Sequence, residues 1–122
     1  NRTYEKSLRL SELDRSRNIT ILDWGERPQN PLDLILNCTS LSLLDKVPTV
    51  DHYAVGPKTL CYDLAYRSGG TSFVNWAVEM GAALAVDGIG MLVEQAAESF
   101  RTWHGCCPDT TTVIKKLRQN IK

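Results

Sequence analysis

The chain has 122 residues, the size of one domain with a single core. Its 14 basic and 14 acidic side chains cancel, and no basic run is longer than Lys115–Lys116, which argues against nucleic acid as a partner. The composition, 43% hydrophobic and 23% charged, is that of an ordinary soluble protein, and apolar runs such as Ala82 to Val86 fall far short of the roughly 20 residues that a membrane helix needs.

The chain begins at Asn1 with no basic-then-apolar leader and no Met, inside a pattern that already reads as organised structure. We therefore expect a processed product, a proteolytic fragment or a truncation. Tyr4 to Leu13 reads as a helix with Leu8, Leu10 and Leu13 as its apolar positions. Ile19 to Trp24 is a strand candidate, followed by turn residues Gly25, Pro28, Asn30 and Pro31. Asp33 to Cys38 and Thr59 to Leu64 are two more strands. Each is short and nearly continuously apolar, as strands buried on both faces of a parallel sheet are.

Gly69 and Gly70 lead into a helix capped by Thr71 or Ser72 and stopped at Gly81, with Phe73, Val74, Ala77 and Val78 on its apolar face. Ala82 to Val86 is a fourth strand. A long amphipathic helix follows, with Ile89, Leu92, Val93, Ala96, Ala97, Phe100 and Trp103 on one stripe, and Gly105 ends it. Pro108 and Asp109 open a last helix whose basic residues lie near its carboxyl end, where they suit the helix dipole. Alternating strands and helices predict an α/β fold with a parallel sheet.

The four cysteines are Cys38, Cys61, Cys106 and Cys107, and none forms a C-x-x-C pair. Free thiols in a reducing cytoplasm are the expectation, with Cys38 and Cys61 buried as small hydrophobes. No metal site is expected.

Gly88-Ile89-Gly90 follows a strand and opens a helix, as a dinucleotide fingerprint does, but Val93 stands at its third glycine position. A tight strand-to-helix turn is the better reading of it. Met91 points away from the apolar stripe and shares its side with Gln95 one turn on. At the carboxyl end of a strand, where α/β sheets bind ligands, that pair is either plain surface or part of a site.

These residues resemble a family. Asp87 to Gly105 (DGIGMLVEQAAESFRTWHG) resembles the carboxy-terminal signature of shikimate dehydrogenases, and the PDTTTVIKKL that follows resembles their last helix. Asn37 to Leu41 (NCTSL) is similar to the family's N-A-T-S-x-G turn. Cys61 to Phe73 is similar to its Y-D-x-x-Y-x-x-x-x-T-P-F segment, and Asn1 to Lys6 to its N-R-T-x-x-R/K box. The motifs lie in family order and span nearly the whole chain.

The resemblance implies a Rossmann-like, mostly parallel sheet flanked by helices, lacking the first strand and its glycine-rich loop, with the carboxy-terminal helices packed back on the domain. Residues 1–122 would then be part of an NADP-binding domain whose amino-terminal substrate domain is absent. Asn1, Arg2, Thr3 and Lys6 would surround the 2′-phosphate of NADP, a role suited to a guanidinium fork, a hydroxyl and an ammonium. Thr39 and Ser40 would lie along the adenosine side, and Leu64, Gly88 and Met91 would border the nicotinamide. Tyr66 and Gln95 would hold a small-molecule substrate, shikimate or 3-dehydroshikimate.

The chain departs from the family in places. Ser42 replaces a usual glycine, Ser72 a usual proline, and Lys6 an arginine; His52 and His104 match no motif. The family's catalytic Lys and Asp have no counterpart here, so the chain alone is expected to be inactive. A missing first strand would leave open sheet edges, to be covered by pairing between copies, as in a homodimer, by rearrangement, or by the chain being part of a longer one. Two alternatives stay open: a quinate/shikimate dehydrogenase of relaxed choice, and a non-catalytic cofactor-binding module.

Overall fold

The computed structural model describes residues 3–13 and 18–121. The described elements are helix α1 (Tyr4–Ser11), strand β1 (Leu34–Asn37), strand β2 (Leu60–Asp63), helix α2 (Ser72–Glu79), strand β3 (Leu84–Val86), helix α3 (Ile89–His104) and helix α4 (Thr110–Asn120). The strands form one parallel sheet in the order β1-β2-β3, with Leu34, Leu60 and Leu84 in register. Helix α2 makes the β2-to-β3 crossover. The β1-to-β2 crossover is an irregular segment with two short 3-10 turns, Leu41–Leu44 and His52–Ala54. Among the described residues no helix is long and apolar enough to cross a membrane.

Strand periodicity divides the sheet. Ile35, Cys61 and Ala85 face α2 and pack with Phe73, Ala77, Trp76, Val47 and Ala82. Phe73 is fully buried, its ring centroid 5.5 Å from that of Trp76. Burial also pushes the Cys61 thiol above its ordinary pKa. On the opposite face Leu34, Leu36, Leu60 and Leu84 are each about half exposed. The strands are thus covered on one face rather than two, which departs from the continuous apolar runs of their sequence.

Other expectations are corrected as well. Ile19 to Trp24 is not a strand: it runs into a turn at Trp24–Gly25, pairs with no described strand and leaves Ile19, Leu22 and Trp24 exposed. β-Propensity cannot make a strand where no neighbour accepts its backbone hydrogen bonds. Trp103, read as part of the α3 stripe, is 77% exposed, and the buried part of that stripe is Ile89 and Val93. Helix α3 packs chiefly against α4 among the described elements, and Trp103 is not among the residues lining the groove between them. Cys38 is exposed rather than buried, since it lies just beyond the carboxyl end of β1.

The helix signals hold. The Thr71 hydroxyl accepts from the Val74 N–H at 3.2 Å and so caps α2. Gly105, in the left-handed region at φ 72°, terminates α3. Asp109 caps α4 by accepting from the Thr112 N–H. Helix α4 is tied back by Arg118, whose guanidinium donates at 2.8 and 3.2 Å to the two oxygens of buried Asp87, directly after β3.

Candidate functional site

Parallel strands deliver their carboxyl ends to one side of the sheet, and side chains there can converge. Asn37 and Asp63 are partners in register, each the last residue of its strand and each almost fully buried. The Asp63 carboxylate accepts four hydrogen bonds. Asn37 Nδ2 and the Ala65 N–H donate to Oδ1, both at 3.1 Å, while the Ser42 and Thr71 hydroxyls donate to Oδ2, both at 2.6 Å. These use every lone-pair direction that a carboxylate offers.

The same network shapes the loops around it. Asn37 Oδ1 accepts from the N–H and the hydroxyl of Thr39 at 3.1 and 2.8 Å, and Asn37 Nδ2 also donates to Ser42 Oγ at 3.1 Å. One buried carboxylate therefore joins the loop after β1, the loop after β2 and the cap of α2. Ser42, in the place of the family's usual glycine, does not disrupt its turn; its hydroxyl is built into the network.

Between those loops lies an open cavity of about 530 Å³ lined by Cys38, Thr39, Ser40, Leu43, Leu64, Ala65 and Tyr66. Four residues singled out in the sequence, Thr39, Ser40, Leu64 and Tyr66, thus meet around one space. Gly88 abuts its rear wall. The Gly88 N–H donates to the Ala65 carbonyl at 2.9 Å, and a Cβ at Gly88 would stand 2.2 Å from the Leu64 oxygen. Gly88 is thus glycine because backbone meets backbone there, its φ of -77° being ordinary for any residue. Gly90 is under no such pressure, its nearest neighbour being Tyr62 Oη at 3.9 Å. Gly88-Ile89-Gly90 is therefore a packed strand-to-helix turn, not a phosphate cradle.

Met91 and Gln95 do not line the cavity. Both are exposed on α3, and the Gln95 amide donates to the Leu92 carbonyl of its own helix at 3.0 Å. The first turn of α3 is pinned through its backbone, because the Met91 N–H donates to Tyr62 Oη at 3.2 Å. This satisfies one of the amides that a helix start leaves without a partner. Tyr62→Phe is expected to cost about 1 kcal/mol, read as a lower urea midpoint at unchanged slope; an unchanged midpoint would show that water replaces the phenol. Thr3 and Lys6 stand at the start of α1 and do not line the cavity, and Asn1 and Arg2 lie outside the described residues.

Asn37, Ser42, Tyr62, Asp63 and Thr71 form the site although no role in it follows for them from the motifs. A signal was there: a polar residue closing each of two apolar strands is costly to bury unless the two find partners.

Known proteins resemble this chain in sequence and in fold. Residues 88–118 match the family model described as "Shikimate 5'-dehydrogenase C-terminal domain". A curated shikimate dehydrogenase (NADP(+)) of Shewanella woodyi is 45% identical over 100% of this chain. The chain is related over its whole length to the shikimate dehydrogenases. It spans about 45% of that relative's length. A solved Ael1 enzyme from Pseudomonas putida superposes with a TM-score of 0.82 at 43% identity, covering 96% of this chain and 43% of the other. A shikimate dehydrogenase solved in complex with NADP+ gives a TM-score of 0.62 at 25% identity, over 74% of this chain and 32% of the other. The Rossmann-like α/β character of the sheet is thus shared with enzymes of this family.

Proposed function

We propose that this chain is the cofactor-binding part of an NADP-dependent shikimate dehydrogenase, which carries out reversible hydride transfer between NADPH and 3-dehydroshikimate. The observation that supports it most is the meeting of Thr39, Ser40, Leu64 and Tyr66 around one cavity at the strand ends, with Gly88 against its wall. Among the described residues the fit to the cofactor is best at its nicotinamide end, where apolar Leu64 lines the cavity and Met91, outside it on α3, would border the ring only from the rim. The pyrophosphate would need a glycine-rich turn that these 122 residues do not contain.

On this reading NADP supplies the hydride when bound, and the chain's own residues bind and orient. Thr39 and Ser40 offer hydroxyls to the adenosine side. Tyr66 and Gln95 donate hydrogen bonds to the carboxylate and hydroxyls of shikimate. Asn1, Arg2, Thr3 and Lys6 meet the 2′-phosphate, where a planar guanidinium and an ammonium answer a dianion. Residues 1–122 are one unit of the enzyme, and the proton-handling groups lie elsewhere in it. A cytoplasmic location and homodimer formation belong to the same reading; the open edge of β1 is where two copies would pair.

Titrating NADP+ into the isotope-labelled chain, followed by amide shifts, tests the assignment. Binding is expected to be weak, on the order of millimolar without a pyrophosphate cradle, with shifts at Thr39, Ser40, Leu64, Tyr66, Gly88 and Met91. The same sample should oxidise no shikimate. Shifts confined to other surfaces, no shifts at all, or turnover by the chain alone would each count against the proposal.

A further inference from the structure

Cys106 and Cys107 are adjacent in sequence, free and exposed, in the short connector Gly105-Cys106-Cys107-Pro108 between α3 and α4. Neither has a role in the cavity at the strand ends. Gly105 in its left-handed conformation and Pro108 with its fixed φ bracket the pair. Neither cysteine N–H donates a backbone hydrogen bond among the described residues, so the segment can adjust locally without breaking a ladder. The other two thiols are distinct in kind: Cys61 is buried, and Cys38 lies alone at the carboxyl end of β1.

Adjacency decides what this pair can bind. Consecutive Cα atoms are about 3.8 Å apart, shorter than the roughly 4.4–6.8 Å that an unstrained disulfide spans. A direct S–S bond between neighbours is therefore strained and readily reduced. A single larger atom between the sulfurs relieves that strain, because the sulfurs no longer need to approach to bonding distance. The described residues include no group of three His, Cys, Asp or Glu side chains able to hold a metal, so a centre satisfied by two sulfurs fits better than a cation that needs a cage.

We propose that Cys106 and Cys107 form a dithiol site for thiophilic trivalent metalloids of the organoarsenical class, R–As=O. In the reaction two As–S bonds form and the As=O bond breaks. Both thiol protons leave with the oxygen as one water, and arsenic stays trivalent, so no oxidant or reductant is needed. The product closes Cys106 and Cys107 into a small ring within the connector, outside both helices.

The probe is phenylarsine oxide, added to the reduced 122-residue chain and followed by intact mass and thiol titration. One adduct per chain is expected, masking two of the four thiols, resistant to excess 2-mercaptoethanol and released by 1,2-ethanedithiol. Cys106→Ser and Cys107→Ser should each abolish the resistant adduct, while Cys38→Ser should retain it. All three positions are exposed, so these variants should keep the wild-type circular dichroism. The proposal is overturned if the adduct survives in either single variant, is lost in Cys38→Ser, or washes out with the monothiol.

Discussion

Replacing Gly88 by alanine is expected to destabilise the fold by at least about 3 kcal/mol, the upper end of ordinary overpacking, whereas Gly90→Ala should be neutral or gain up to about 1 kcal/mol as a helix substitution. The two glycines belong to one Gly-x-Gly and look equivalent in the sequence. At position 88 the new methyl would meet the Leu64 carbonyl oxygen at 2.2 Å, its carbon at 2.7 Å and the Asp63 oxygen at 3.2 Å. All three are backbone atoms at the end of the central strand, so no rotamer change can clear the way. The sheet must part from α3, or the Ala65-to-Gly88 hydrogen bond must break. At position 90 nothing is closer than 3.9 Å. Urea unfolding of both variants measures the difference. Equal stabilities would mean that the strand end yields more easily than this geometry allows, and the reading of Gly88 as a packing glycine would fall.

Asp63→Ala is expected to cost about 3–5 kcal/mol, because it strips an acceptor from several buried donors at once, each costing roughly 1–3 kcal/mol if left without a partner. Thr71 and Ser42 could turn to other acceptors, but Asn37 Nδ2 would keep only Ser42 Oγ, and the Ala65 N–H would lose its bond. Asp63→Asn keeps the shape and one carbonyl oxygen, yet sets an NH2 group against donors; an intermediate loss of about 1–3 kcal/mol follows. A domain of this size has only about 5–15 kcal/mol to lose, so Asp63→Ala should give up a large share of its stability. Equilibrium unfolding of the two variants is the measurement. A loss below about 1 kcal/mol in Asp63→Ala would show that water readily substitutes for the carboxylate. The network would then not be what holds Thr39 and Tyr66 around the cavity.

Both predictions concern the same few residues at the strand ends, where fold and proposed function share their support. Asp63 joins three loops, Gly88 lets α3 approach the central strand, and Tyr62 anchors the first turn of α3. Changes there should alter the cavity and the stability together, while changes in the Cys106–Cys107 connector should leave both largely intact.

The residue pattern alone determined the α/β class, the three paired strands to within two residues at either end, the cap at Thr71, the stops at Gly81 and Gly105, and the motifs that tie the chain to shikimate dehydrogenases. Those features are local: period, turn chemistry and capping act over a few residues and are written where they operate. Tertiary structure decided the rest. Ile19 to Trp24 had strand-like residues and no strand to pair with. Trp103 sat on an apolar stripe and came out exposed, because α3 packs chiefly on α4 and Trp103 lies outside the groove between them. Asp63, an ordinary acidic residue by its type, became the centre of the site only when Asn37, Ser42 and Thr71 were brought to it from 26, 21 and 8 positions away. Such partners are chosen by the packing of whole elements, and a one-dimensional pattern carries no record of the distance between them.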